Sequence, residues 1–327
     1  MVNNVDILRA AKIIRSGGLV AFPTETVYGL GANATDQTAC MRIFEAKGRP
    51  SDNPLIVHVS SLEQLLVLTP KPTSTMEALA KAFWPGPLTL IVPNESAPRA
   101  VTGGRNTVAV RIPSHPVAQA LINAAGVPIA APSANTSGKP SATSADHVQE
   151  DLGDKIDMII DGGPTEFGIE STILDLSEEV PCLLRPGFVT HADIEGVIGQ
   201  IDIHPSIWEA YADGSPKAPG MAYAHYQPKA TLYIAQTRDI SSLISSSVGP
   251  IGVITTDDDT TSYVGAKVFS LGPRSRADIC AKNLFKTLRD LDKNGIDTAY
   301  VIPLEGEGIE IAIMNRLRKA AGYKFVV

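Results

Sequence analysis

Read from the N-terminus, apolar positions first recur at helical spacing: Ile7, Ala10, Ala11 and Ile14 share one face, with Arg9, Lys12 and Arg15 off it. The period then shortens. GGLVAFPTET reads as a strand entering a loop, Thr35-Asp36 as the cap of a helix through Lys47, and Gly48 with Pro50 as its stop. PLIVHV, GPLTLIVP and NTVAVRIP read as further strands. Ser114 is placed to cap a helix beginning near Pro116, and VPIAAPSAN is a strand running into a loop. A capping box at Thr143–Asp146, short strands in DMIIDGG, STILDLS and CLLRPG, and a short helix after Thr190 carry the pattern to residue 205.

Residues 206–229 break the pattern. They are rich in Pro and Gly, lack periodicity, and hold Trp208, Tyr211, Tyr223, His225 and Tyr226. A plain linker is polar, so aromatic residues imply a segment that lies against something. From Ala230 strands and helices alternate again: TLYIAQ, a Ser-rich helix, IGVITT, VFSLG, a helix from Ser275 to Asn294, TAYVIPL, and a last helix in IEIAIMNRLRKAAG. The alternation predicts an α/β chain with a first domain over 1–205 and a smaller, Rossmann-like α/β domain over 230–327, the aromatic linker between them.

Composition narrows the chemistry. The chain has 327 residues, enough for two cores, and no apolar run long enough to span a membrane. Its N-terminus lacks an apolar signal core. Cys40, Cys182 and Cys280 are far apart in sequence, without a CxxC pair, which points to reduced thiols in a cytoplasmic protein. Residues 1–205 carry 14 Lys and Arg against 22 Asp and Glu. That balance predicts weak or no direct binding of nucleic acid, because a phosphate-gripping surface needs a basic excess. Local cations must therefore have local partners.

No GxxxxGK[ST], HExxH or Cys/His cluster occurs, so neither a P-loop nor a protein-held catalytic metal is predicted. GLGANA (29–34) fits a dinucleotide pattern in letters, but PTETVY separates it from its strand. Its glycines read as turn residues leading into the helix. What remains is a set of polar segments that follow strands: PTETVYG, KGRPSDN, VRIPSHP, PSANTSGKPS, IESTI and LRPG. They bring Lys47, Arg49, Arg111, Lys139 and Arg185 together with Thr24, Thr26, Ser133, Ser141, Ser171 and Thr172. Forked guanidinium donors, ammonium groups and hydroxyls suit phosphate and carboxylate, so the set reads as a cradle for polyanions. Lys47 and Arg49 equally suit a helix C-terminus, Ser133 and Ser141 equally suit turn caps, and His58 equally suits a bonded core histidine. Arg111 is different: VAVRIP places its guanidinium in an apolar strand, where it needs an anion.

Taken in order, PTETVYGLG, KGRPSDNPLIVH, VAVRIPSHP, APSANTSGKPS, ESTI and LRPG resemble the YrdC-like family. The linker GMAYAHYQP and the C-terminal AIMNRLRKAAG resemble its two-domain form, the threonylcarbamoyl-AMP synthases. The resemblance implies a YrdC-like twisted mixed sheet with helices. It also implies formation of threonylcarbamoyl-AMP and pyrophosphate from L-threonine, bicarbonate and ATP, for threonylcarbamoyladenosine in tRNA. Magnesium would be held mainly by the phosphates. Downstream tRNA threonylcarbamoyl-transfer proteins would be partners.

By matching position, the resemblance implies catalytic roles for Lys47, Arg49, Ser133 and Asn135. It implies ATP contacts from Arg49, Asn53, Thr107, Ser133, Ser141 and Arg185, with Tyr226 as a lid against the nucleotide. It implies threonine contacts from Thr26, His58, Arg111, Ala131 and Ser171. At Ala222 and Ala224 the linker lacks the basic residues common in the family, while Tyr223, His225 and Tyr226 remain.

Overall fold

The computed structural model describes residues 3–69, 72–211, 216–221, 225–259 and 263–327; Ala222, Tyr223 and Ala224 lie outside the described residues. The first part contains strands β1 (Val20–Pro23), β2 (Tyr28–Asn33), β3 (Ile56–His58), β4 (Leu88–Pro93), β5 (Thr107–Arg111), β6 (Ile129–Ala130), β7 (Met158–Ile159), β8 (Thr172–Asp175), β9 (Cys182–Arg185) and β10 (Asp202–Ile203). They form one mixed sheet in the order β10-β9-β8-β4-β5-β3-β6-β2-β1-β7. Its helices are α1 (Asn4–Arg15), α2 (Gln37–Lys47), α3 (Leu62–Leu65), α4 (Ser74–Phe83), α5 (Arg99–Thr102), α6 (Pro116–Ala125), α7 (Ala145–Leu152) and α8 (His191–Ile198).

The second part contains β11 (Thr231–Ala235), α9 (Ser241–Ser246), β12 (Ile251–Thr255), β13 (Lys267–Ser270), α10 (Ala277–Lys293), β14 (Thr298–Val301), α11 (Ile309–Ala320) and β15 (Phe325–Val326). Its sheet is all parallel, in the order β13-β12-β14-β11-β15. The helix and strand alternation read from the sequence is thus the architecture, with both parts α/β.

Local signals explain most boundaries. Asp36 accepts the Thr38 and Ala39 amides at the start of α2, and Gly48 ends it in the left-handed conformation. Two caps differ from expectation. His115, through Nδ1, caps α6 in place of Ser114, whose amide instead donates to Glu25. Ser144 caps α7 in place of Thr143, so the full capping box is found at Thr190 and Asp193 on α8.

Alternation along the first sheet separates two faces. Ala21, Leu30, Ala32, Val57, Val110 and Leu90 enter one core with α2 and α4. The opposite face is covered in sections. Near β1 and β6, helices α1 and α6 cover Val20, Phe22, Ile129 and Ala131. Near β4, β8 and β9, Ile91, Ile173 and Leu184 pack under Ala218 and Met221 of the linker. Between these covers the face is open over β3 and β5.

Gly29 lines this open region, Gly31 packs against Phe22 and Ile129 in the covered section, and here the structure corrects the sequence reading. They lie inside strand β2, where a Cβ on Gly31 would come within 2.8 Å of both Phe22 and Ile129. Their use is close strand packing.

The two parts share apolar packing. Val27, Ile169 and Tyr226 join the core built on β11, β14, α10 and α11. At Gly168 (φ +74°) a Cβ would stand 2.4 Å from Lys282 Cα on α10. Gly168→Ala is therefore expected to lower the urea midpoint through both left-handed strain, about 1–2 kcal/mol, and displacement of α10. Gly126→Ala (φ +66°, no atom within 4 Å) carries the strain alone and serves as the control. Equal midpoint losses in the two variants would show that the close approach of α10 contributes nothing.

Candidate active site

The open region is a cleft with both charged and apolar residues in its lining. Register builds its floor. His58 pairs with Arg111 across parallel β3 and β5, and Ala131 donates its amide to the Ile56 carbonyl, so these side chains project to one face. Val108 and Val110 point to the core on the other side, which explains an arginine inside VAVRIP. The cleft accordingly lies over a sheet face, whereas the strand-following loops had suggested a site along strand ends.

From the polar segments Thr24 and Lys139 line it and Thr172 does not; of the fourteen residues that the resemblance implies, twelve line it: Thr26, Lys47, Arg49, His58, Arg111, Ala131, Ser133, Asn135, Ser141, Ser171, Arg185 and Tyr226. Two do not. Thr107 begins β5 and Arg111 ends it, so about 13 Å of strand separates them. Asn53 is buried behind Arg49, whose Nη2 donates to the Asn53 and Pro54 carbonyls. The resemblance implied ATP contacts from both, and neither is among the residues that line the cleft.

The anion that Arg111 requires is internal. Its guanidinium meets Glu25 Oε1 at 2.6 Å, donates to Thr26 Oγ1 at 2.9 Å, and donates to the Gly86 carbonyl at 3.1 Å. Burial opposes the charge of Glu25, but Arg111 and the Ser114 amide hold the carboxyl below its ordinary value. Glu25 stood in the quoted PTETVYG and carried no sequence signal of its own beyond being an acid flanked by two threonines. His58 is buried beside this pair. Burial first, then the Arg111 charge, pushes its pKa down to about 3, so the imidazole is neutral at ordinary pH. Its Nδ1 has no hydrogen-bond partner among the described residues.

Lys47 closes the other end. Its Nζ donates to the Ser133 and Asn135 carbonyls, both at 2.5 Å, so the cation of a last helical turn is turned inward and buried. Burial and Arg49 lower its pKa well below the usual lysine value. Arg185 donates to the Ser171 carbonyl and hydroxyl and to the Pro219 carbonyl, and burial pushes its pKa down to about 10. Each of these cations retains N–H groups that the protein does not use.

The hydroxyls are already engaged. Ser133 donates to Asn135 Oδ1 and Ser141 to Glu170 Oε1, each at 2.5 Å; Ser171 accepts from Arg185 and shares a proton with Thr89. In this state they orient the cations and present lone pairs, leaving direct anion donation to nitrogen.

Reasoning from sequence missed Glu170, Arg316 and Lys319. Glu170 also lines the cleft, and Arg316 on α11 meets its Oε2 at 3.1 Å. Lys319 donates to the Gly220 carbonyl at 2.5 Å, and burial pushes its pKa down to about 7. The helical period of IEIAIMNRLRKAAG could have flagged Arg316, since it falls on the buried face with Ile313 and Leu317. Tyr226 has a left-handed backbone (φ +63°) and lies against Phe285 of α10, ring centres 5.0 Å apart.

Among the described residues no cluster of three His, Cys, Asp or Glu could hold a metal ion. Glu170 is tied to Arg316 and Ser141, so the lining does not fit a protein-held magnesium.

Residues 12–187 match the profile described as Telomere recombination, that of Sua5, YciO and YrdC, and residues 189–322 match Threonylcarbamoyl-AMP synthase, C-terminal domain. The chain belongs to the YrdC-like family. It is 51% identical to Threonylcarbamoyl-AMP synthase of Pyrococcus abyssi, over 97% of this chain and 94% of that protein. It is 46% identical to the Bacillus subtilis protein of that name, over 99% and 95%. The crystal structure of P. abyssi Sua5 complexed with L-threonine superposes with a TM-score of 0.94 at 51% identity, covering 100% of this chain and 97% of that one. The YrdC-like cleft and the Sua5-type C-terminal part are therefore both present.

Burial would raise the carboxyls of Glu25, Asp151 and Glu170, yet their arginine partners hold all three below the ordinary 3.8–4.5. Their stabilisation is therefore full above about pH 4.5 and is lost as pH falls through the lower folded values. Asp151 pairs with Arg289 of α10 at 2.9 Å and Glu170 with Arg316, so acid acts on the contact between the two parts. Urea midpoints are expected to fall as pH drops below about 4.5, with a shallower fall in Asp151→Asn. An unchanged pH slope in that variant would remove the pair from the account.

Proposed function

We propose that this chain makes threonylcarbamoyl-AMP and pyrophosphate from L-threonine, bicarbonate and ATP, as a nucleotidyltransferase. One observation supports it above the others. Buried Lys47, Arg111 and Arg185 converge on a single cleft in a chain that matches a threonine-bound relative over its full length.

In this reading the threonine carboxylate takes the unused N–H groups of Arg111. Neutral His58 and Thr26 orient the amino acid, and the Ala131 and Ser171 region completes its pocket. At a pKa of about 3, His58 is too weak a base to take an ammonium proton, so its part is hydrogen bonding. Bicarbonate gives carbon dioxide and hydroxide; the free amine adds to the carbon dioxide, giving an N-carbamate, and the proton it releases leaves with the hydroxide as water. A carbamate oxygen then attacks the α-phosphorus of ATP; the new O–P bond forms as the bridging bond to pyrophosphate breaks.

Lys47, Arg49 and Arg185 offset the meeting of anions, with Ser133, Asn135 and Ser141 fixing the loop they bind. Magnesium would arrive on the nucleotide phosphates. We assign 1–205 as the catalytic domain, 206–229 as a lid that shields a labile mixed anhydride from water, and 230–327 as the second domain. The anhydride then passes to proteins that transfer the threonylcarbamoyl group to tRNA.

Mass spectrometry of a reaction with ATP, threonine and bicarbonate is expected to show threonylcarbamoyl-AMP. Arg111→Ala would strand Glu25, so the informative variant combines Arg111→Met with Glu25→Gln, which removes both charges at similar volume. It is expected to lose about 100-fold or more in threonine kcat/KM while retaining nucleotide binding. Wild-type turnover in that double variant would exclude Arg111 from threonine recognition.

A further inference from the structure

The Arg316 side chain is fully buried, yet it belongs to α11, in the part of the chain remote in sequence from the cleft motifs. Its Nε meets Glu170 Oε2 at 3.1 Å, its Nη2 donates to the Glu170 carbonyl at 3.3 Å, and its Nη1 donates to the Pro186 carbonyl at 2.5 Å. One planar group therefore fixes two cleft segments, ESTI and LRPG. Glu170 in turn accepts the Ser141 hydroxyl proton at 2.5 Å, and Pro186 follows Arg185 in the chain. Asn315 and Lys319 on the same helix donate to the Ile207 and Gly220 carbonyls, tying the start and an interior point of the linker.

We infer that Arg316 is a positioning residue of the cleft: from the C-terminal part it holds Glu170, and through it Ser141 and the Arg185 turn, in the arrangement that receives the nucleotide. This rests on the reading of Ser141 and Arg185 as the ATP side. A lysine cannot replace the fork, because one ammonium cannot reach the carboxylate and two carbonyls in a common plane. With Arg316 gone, Glu170 loses its direct ion pair and keeps the more distant cations Arg185, Lys47 and Lys319 with the hydroxyls of Ser141 and Tyr226, so burial raises its carboxyl and it takes a proton at a higher pH than in wild type. The protonated acid no longer draws the Ser141 proton, so the cleft is altered even where the chain stays folded.

The test uses the full chain in four forms: wild type, Arg316→Ala, Arg316→Lys, and Arg316→Ala combined with Glu170→Gln. The double variant leaves no stranded charge and is expected to recover thermal stability. Affinity for α,β-methylene ATP, measured by calorimetry, is expected to fall about tenfold or more in all three variants, including the stable one. In Arg316→Ala the affinity is expected to drop on the acid side at a pH where wild type is unaffected, and this dependence is expected to vanish in the double variant. Wild-type affinity in the stable double variant, or an unshifted pH profile in Arg316→Ala, would overturn the inference. Product formation by wild type is scored separately. Analogue binding without product defeats the synthase reading alone, and absence of binding in wild type defeats both.

Discussion

Everything in this molecule is organised around keeping positive charge out of water while leaving it available to an anion. An arginine buried without compensation costs several kcal/mol, roughly 3–5 when one partner of a buried pair is removed. The chain answers in two ways. Arg111, Arg289 and Arg316 each have a carboxylate: Glu25, Asp151 and Glu170. Lys47 and Arg185 have no ion pair among the described residues and are held by carbonyls and a hydroxyl. Dipoles stabilise a cation without cancelling it. The surplus charge of the cleft is thus concentrated at Lys47 and Arg185, on either side of the neutralised Arg111 pair. Phosphates belong with the surplus, and a single carboxylate suits the arginine whose charge is already balanced.

The hydroxyls serve the same end. Ser133, Ser171 and Thr26 spend their bonds on Asn135, Arg185, Thr24 and Arg111, so the cation geometry is set before any substrate enters. Donors fixed in advance need no reorganisation as charge moves onto a leaving group. The neutral His58 fits this design. A charged imidazole next to Arg111 would add repulsion where Glu25 is already paired.

The periodic elements and most cleft residues were legible in the sequence, because alternation and capping are local. Asp36 and Gly48 delimit α2 as read, and the parity of VAVRIP does set Arg111 apart from its neighbours. What could not be read depends on partners distant along the chain. The counter-ion of Arg111 comes from 86 positions away, next to Thr26, and only strand register brings it there. The glycines of GLGANA were misread for a related reason: a strand glycine and a turn glycine look alike until Phe22 and Ile129 are seen against it. Caps slipped by one residue at Ser114 and Thr143 because adjacent polar side chains compete, and the backbone direction decides between them. Thr107 and Asn53 stand close in sequence to lining residues and do not line the cleft themselves.

The segment from Ile169 to Thr172 shows why the two parts act as one body around the cleft. Ile169 enters the core of the second part, Glu170 meets Arg316, Ser171 meets Arg185 and Thr89, and Thr172 bonds the Val189 carbonyl. Four consecutive residues thus point in four directions and join α11, the cleft, β4 and the turn after β9. In such a segment no side chain can shift alone, since each is held by a group from a different element. A C-terminal part that merely covered the cleft would need apolar contact only. Here it contributes a buried guanidinium to the same carboxylate that bonds Ser141, so closing the site and shaping it are done by one set of contacts.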